Sequence, residues 1–197
     1  MNEKIGGKEV SAITGTGRSG TTLLIQIAAA MGKTELVGSF NDSAKGGYET
    51  RTDFYHISPD FIHPVIKDPR LIASAQDVYD RHPIRFKHVF LCVREFEQAA
   101  KSRIEKNMEF SSYGNLIESY GKTPLKKHIV FFQRAIGSFI EFVARHDIPL
   151  TILSFPRFAL DPLYLHRKLN NTPLECQLLN LESIMEKLVD SSWIHKF

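Results

Sequence analysis

Residues 9–31 pass from a short β-prone run through a glycine-rich turn at 15–20 into an apolar stretch of helical length, 21–31. Strand, turn and helix in immediate succession constrain the fold more than any other feature of the chain. A helix that follows a strand after so short a turn packs back onto the sheet to which that strand belongs.

The same alternation continues downstream. Residues 35–37 read as a second short strand and 38–52 as a polar, glycine-containing loop with no clear period. Residues 64–67 predict a strand, 71–81 a helix, and 88–93 a near-continuous apolar run of the kind buried within parallel sheets. A helix over 96–107 follows. The longest amphipathic pattern spans 124–146, with Ile129, Phe132, Ile136, Phe139, Ile140 and Val143 at helical spacing, and is read as core packing. Residues 150–155 predict another buried strand. Asp161 and Pro162 form an N-cap and first-turn pair that opens a helix through Leu169, and 181–189 predicts a last helix. The expected fold is therefore a single α/β domain over residues 1–197, of P-loop type, with three layers and a mostly parallel sheet flanked by helices. Ligands of such sheets bind at the carboxyl ends of the strands.

Composition narrows the function classes. Lys and Arg exceed Asp and Glu by 25 to 22, an excess too small to argue for nucleic-acid binding without a clustered basic patch. The two cysteines are Cys92, inside the apolar run, and Cys176; a disulfide framework is not expected, which points to reduced thiols and a cytoplasmic location. Residues 1–10 lack the apolar core of a signal peptide, and no stretch approaches the roughly 20 apolar residues of a membrane span.

Gly15, Thr16, Gly17, Arg18, Ser19, Gly20, Thr21 and Thr22 sit between predicted strand and predicted helix, where a glycine-rich turn aims backbone N–H groups at an anion. The spacing follows the phosphate-binding pattern G-x-x-x-x-G-K-[ST], except that Thr21 stands where the lysine belongs. A standard ATPase or kinase is disfavoured by that exchange. The cation lies three residues earlier, at Arg18.

The run Thr14-Gly15-Thr16-Gly17-Arg18-Ser19-Gly20-Thr21-Thr22-Leu23 resembles the 5′-phosphosulfate loop of sulfotransferases. That resemblance implies that Gly17, Arg18, Ser19, Gly20, Thr21 and Thr22 grip the 5′ end of 3′-phosphoadenosine 5′-phosphosulfate, the sulfuryl donor. Arg94 ends the 88–93 run and Ser102 follows eight residues later, a separation that resembles the family's 3′-phosphate signature. A guanidinium at a strand end offers a planar fork of donors and a hydroxyl adds a neutral one. Phe96 and Glu97 stand where the family often has Pro and then a basic residue. Glu97 would weaken binding if it faced the phosphate. Arg167 and Lys168 are read as a solvated helix face.

Lys67, within Lys67-Asp68-Pro69-Arg70, resembles a segment common in bacterial members, which implies that it stabilises charge on the transferred group or orients the acceptor. The other reading is a surface lysine beside an Asp68–Arg70 pair. Transfer needs a base for the acceptor hydroxyl. Glu49 occupies the stretch from which carbohydrate-type members draw a glutamate, and His56 and His63 are the histidine substitutes. The donor is already activated, so no metal is expected. The acceptor, a hydroxyl or amine of a saccharide, lipid head group or other molecule, is left open. So short a chain has little material for a lid, which points either to a partner subunit, such as a second copy, or to an open cleft. A P-loop kinase without the usual lysine and a noncatalytic nucleotide-binding module are the alternative readings.

Overall fold

The computed structural model describes residues 8–34, 64–82, 84–106 and 122–189. Within them lie four strands and seven helices: β1 (Lys8–Gly15), α1 (Thr21–Ala30), β2 (Val65–Lys67), α2 (Leu71–Arg81), β3 (Ile84–Val93), α3 (Phe96–Glu105), α4 (Pro124–Arg145), β4 (Leu150–Ser154), α5 (Arg157–Leu160), α6 (Pro162–Leu169) and α7 (Leu178–Leu188). The predicted strand at 35–37 and loop at 38–52 fall outside the described residues, as do Glu49, His56 and His63.

All four strands are parallel, in the order β2-β1-β3-β4. The consecutive residues Val89, Phe90, Leu91 and Cys92 are all fully buried because β3 is covered on both faces. Val89 and Leu91 join a core built with α2, α3 and α4, while Phe90 and Cys92 join a second core built with α1, α6 and α7. The fold is thus the expected α/β type, a parallel sheet between two helical layers.

Local signals account for most helix ends. Asp161 Oδ1 accepts from the Tyr164 N–H at 2.8 Å and Pro162 opens α6. Thr123 caps α4 ahead of Pro124 by accepting from the Lys126 N–H. The buried stripe of α4 runs through Phe131, Phe132, Ala135, Ile136, Phe139, Phe142 and Val143; Ile140, expected within it, is 42% exposed because it falls at the edge of the stripe. β3 begins four residues before the apolar run. Its first four residues alternate buried Ile84 and Phe86, packed in the core with α2 and α4, with exposed Arg85 and Lys87. The short α5 was not expected.

The connections define where a ligand can enter. α1 carries the chain from β1 toward β2 on one face, whereas α3 and α4 carry it from β3 to β4 on the other. Neighbouring β1 and β3 therefore send their following helices to opposite sides, and a crevice opens between the two at their carboxyl ends.

Candidate anion site at the carboxyl edge of the sheet

Both stretches singled out in the sequence converge on that crevice. Gly15 pairs with Cys92, so the loop after β1 begins beside the end of β3. A Cβ at Gly15 would lie 2.2 Å from the Cys92 carbonyl oxygen and 2.5 Å from Ser19 Oγ, which leaves room for glycine alone. Gly15→Ala is expected to displace the loop and to lower stability by more than about 1 kcal/mol; thermal unfolding against the wild type checks this.

The loop turns through left-handed backbone at Gly17 (φ 69°), Arg18 (φ 57°) and Gly20 (φ 80°). Arginine in that region costs about 1 to 3 kcal/mol, a strain that persists where the surroundings hold the loop in shape. At Gly20 an added Cβ would meet Phe155 and Phe158, each at 2.6 Å, so the aromatic pair after β4 braces the loop from below. The N-terminus of α1 has no side-chain cap and no acidic residue in its first turn, which leaves its backbone N–H groups and dipole for an anion. Thr14 Oγ1, Thr16 Oγ1 and Ser19 Oγ are fully buried around this turn, and none has a hydrogen-bond partner among the described residues. A buried hydroxyl without a partner costs about 1 to 3 kcal/mol, which singles out this turn as the candidate site.

Arg94 is the first residue after β3 and only 5% exposed. Its Nη1 donates to the Arg18 carbonyl oxygen at 3.3 Å, and its guanidinium stands 5.5 Å from the Phe155 ring centroid. Burial, and then the charge of Arg18, lower the Arg94 pKa from its ordinary value, against Glu105 and Glu95, which raise it. An arginine so placed stays protonated, so the buried Arg94 cation lies beside the exposed cation of Arg18. An anion relieves that repulsion.

Ser102, 1% exposed, meets the loop from α3: Arg18 Nε donates to Ser102 Oγ at 3.3 Å. The Arg18 side chain thereby bridges stretches that the sequence treats as two separate sites. Glu97 does not face this crevice as a free charge. It pairs with Lys101 Nζ at 2.6 Å on the exposed side of α3, while Glu95 caps that helix by accepting from the N–H groups of Glu97 and Gln98.

Lys67 ends β2, paired with Ile13 of β1, and is 4% exposed. The surface-lysine reading is therefore corrected: a lysine at the carboxyl end of a strand beside β1 is enclosed by the sheet and its covering layer. The accompanying pair does form, with Arg70 Nε 3.2 Å from Asp68 Oδ1. Gly17 and Thr21 are buried in the loop and first turn of α1, and Thr22 is half-buried. Arg167 and Lys168 lie exposed on α6. Both cysteines are free. No helix among the described residues is long and apolar enough to cross a membrane.

Thr14 and Thr16 lie outside the Gly17–Thr22 stretch, yet their hydroxyls are among the most deeply buried polar groups here. The signal available in the sequence was two threonines flanking the first loop glycine at a strand end. Phe155 was unmarked, because its position depends on how β4 sits against β3. No protein-family model matches this chain, and no curated protein matches it.

Proposed function

We propose that the protein is a sulfotransferase that moves a sulfuryl group from 3′-phosphoadenosine 5′-phosphosulfate to a hydroxyl or amine acceptor. The observation that carries this reading is the joining of the Gly-rich loop, whose three buried hydroxyls have no partner among the described residues, to Arg94 and Ser102 through Arg18. One end of that cluster suits a phosphosulfate, held by loop N–H groups and the start of α1. The other suits a second phosphate, held by the Arg94 fork and the Ser102 hydroxyl. A nucleotide with anionic groups at both its 3′ and 5′ positions fits both ends. Thr21, 4% exposed in place of the usual lysine, disfavours a triphosphate.

In the reaction the acceptor oxygen or nitrogen bonds to sulfur as the sulfur–oxygen bond to the 5′-phosphate breaks. The acceptor's proton passes to a base, assigned from the sequence to Glu49. Charge grows on the departing phosphate oxygen, where Arg18 and the loop N–H groups stabilise it. Lys67 is the further cation proposed to act on the transferred group. The site calls for no metal in this reading, since the donor carries an activated group.

The donor can be tested without an acceptor. The protein is expected to bind 3′-phosphoadenosine 5′-phosphate more tightly than AMP by about 10- to 100-fold, without Mg²⁺, because AMP leaves the Arg94 and Ser102 end unfilled. Arg94→Ala should erase most of that preference and change AMP binding little. Titration calorimetry reads these affinities. Equal binding of the two nucleotides would end the sulfotransferase reading, and Mg²⁺-dependent preference for ATP would move it to a kinase.

A further inference from the structure

β4 is the last strand of the sheet among the described residues, and there it is paired on its β3 side alone. Its register, from Val89 beside Leu150 to Val93 beside Ser154, decides which backbone groups that pairing uses. The Val89 N–H donates to the Pro149 carbonyl oxygen at 2.8 Å, and the Phe155 N–H donates to the Val93 carbonyl oxygen at 2.8 Å. Residues 149, 151, 153 and 155 therefore turn their polar groups toward β3, and Leu150, Ile152 and Ser154 turn theirs to the open edge. Two neighbouring donors are already taken. The Ser154 N–H donates to the Tyr164 hydroxyl at 3.0 Å, and ahead of the strand the Ile148 N–H donates to the Val143 carbonyl oxygen at 3.0 Å. Leu150 and Ile152 are left, each with an outward N–H and C=O that have no hydrogen-bond partner among the described residues.

The side chains of these two residues are apolar and share one face of the sheet, since they lie two apart on a strand. Leu150 is half-buried against the core built with α2, α3 and α4, whereas Ile152 is 44% exposed. From Ile148 to Pro156 the chain holds no charged residue. Edge strands are commonly guarded against pairing by a lysine or another charge, and this one has no such guard along its length.

We propose that β4 pairs antiparallel with β4 of a second copy of the chain, about a two-fold axis at Thr151, so that two sheets become one. In that register Leu150 stands opposite Ile152 of the partner subunit and exchanges both N–H···O bonds with it, and Ile152 does the same with Leu150 of the partner subunit. Every outward donor at 150 and 152 then meets an outward acceptor. The same two pairs bring leucine against isoleucine, which covers the exposed Ile152 side chain. An axis at Ile152 would call on the Ser154 N–H, and one at Leu150 on the Ile148 N–H, both already spent. A second copy is the occupant because a strand whose open groups lie symmetrically about Thr151 is complementary to itself, and such a contact closes at two subunits. The interface shares no residue with the anion cluster and stands or falls independently of the sulfotransferase reading.

Sedimentation velocity on the full chain should show a monomer–dimer equilibrium with a Kd of about 10 μM, as suits a contact smaller than a standard interface. Ile152→Lys should weaken it at least about tenfold by placing a charge on the paired edge, with a melting temperature near the wild type because Ile152 is exposed. Leu179 of α7 is an apolar residue that is more exposed still, at 77%, and Leu179→Lys should leave the Kd unchanged. Thr151→Cys reads the register: on the axis the two Cα atoms lie about 4.5 Å apart, within reach of a disulfide. Oxidised glutathione should link Thr151→Cys into a covalent dimer about tenfold faster than Leu179→Cys. A chain that is still monomeric at about 200 μM, a dimer that Ile152→Lys leaves unchanged or that Leu179→Lys weakens as much, or equal linkage at 151 and 179 would overturn the proposal.

Discussion

Replacing Arg18 with alanine is expected to lower turnover by about two to three orders of magnitude, the scale of one preorganised group that stabilises developing charge. Alanine keeps the Cβ, so the left-handed backbone at φ 57° is no more strained than before. The carbonyl oxygen that accepts from Arg94 also remains. What disappears is the guanidinium, both its charge and its contact with Ser102 Oγ. Arg18→Lys should restore part of the rate, because a lysine supplies the charge without the planar fork. The measurement is steady-state transfer to an acceptor the wild type uses. Unchanged turnover in Arg18→Ala would remove this residue from the mechanism and leave it a structural part of the loop.

Glu49→Gln is expected to lose about 10² to 10⁴ in rate while binding the nucleotide as the wild type does. The substitution keeps the size of the side chain but removes the capacity to take the acceptor's proton. The separation of rate from binding is the informative readout, since loss of both would mark a structural role. The same comparison on His56→Ala and His63→Ala decides the assignment: if either histidine variant shows intact binding with lost turnover and Glu49→Gln does not, the base is that histidine. Because Glu49 was selected by its place in the sequence, this experiment carries more of the mechanism than any other.

The fold was legible in the sequence because its signals are local. The glycine-rich turn between an apolar strand and a helix, the continuous apolar run before Arg94, and the Asp161-Pro162 helix start each follow from what a few neighbouring residues permit. The residue types of the candidate anion loop were legible for the same reason, since Gly17, Arg18, Ser19 and Gly20 lie together along the chain. Their meeting with residues 76 and 84 positions away was not a local property. Arg18 reaches Ser102, and Arg94 reaches the Arg18 carbonyl, because β1 and β3 are neighbours in the sheet and send their helices to opposite faces. The burial of Lys67 has the same origin: a three-residue strand beside β1 encloses a side chain whose sequence context reads equally well as surface. Thus the sequence by itself determined the layered α/β fold and the residue types of the anion loop, since both rest on short-range sterics and periodicity. Which distant groups share a site was decided only by strand order and by the opposite faces to which α1 and α3 pass.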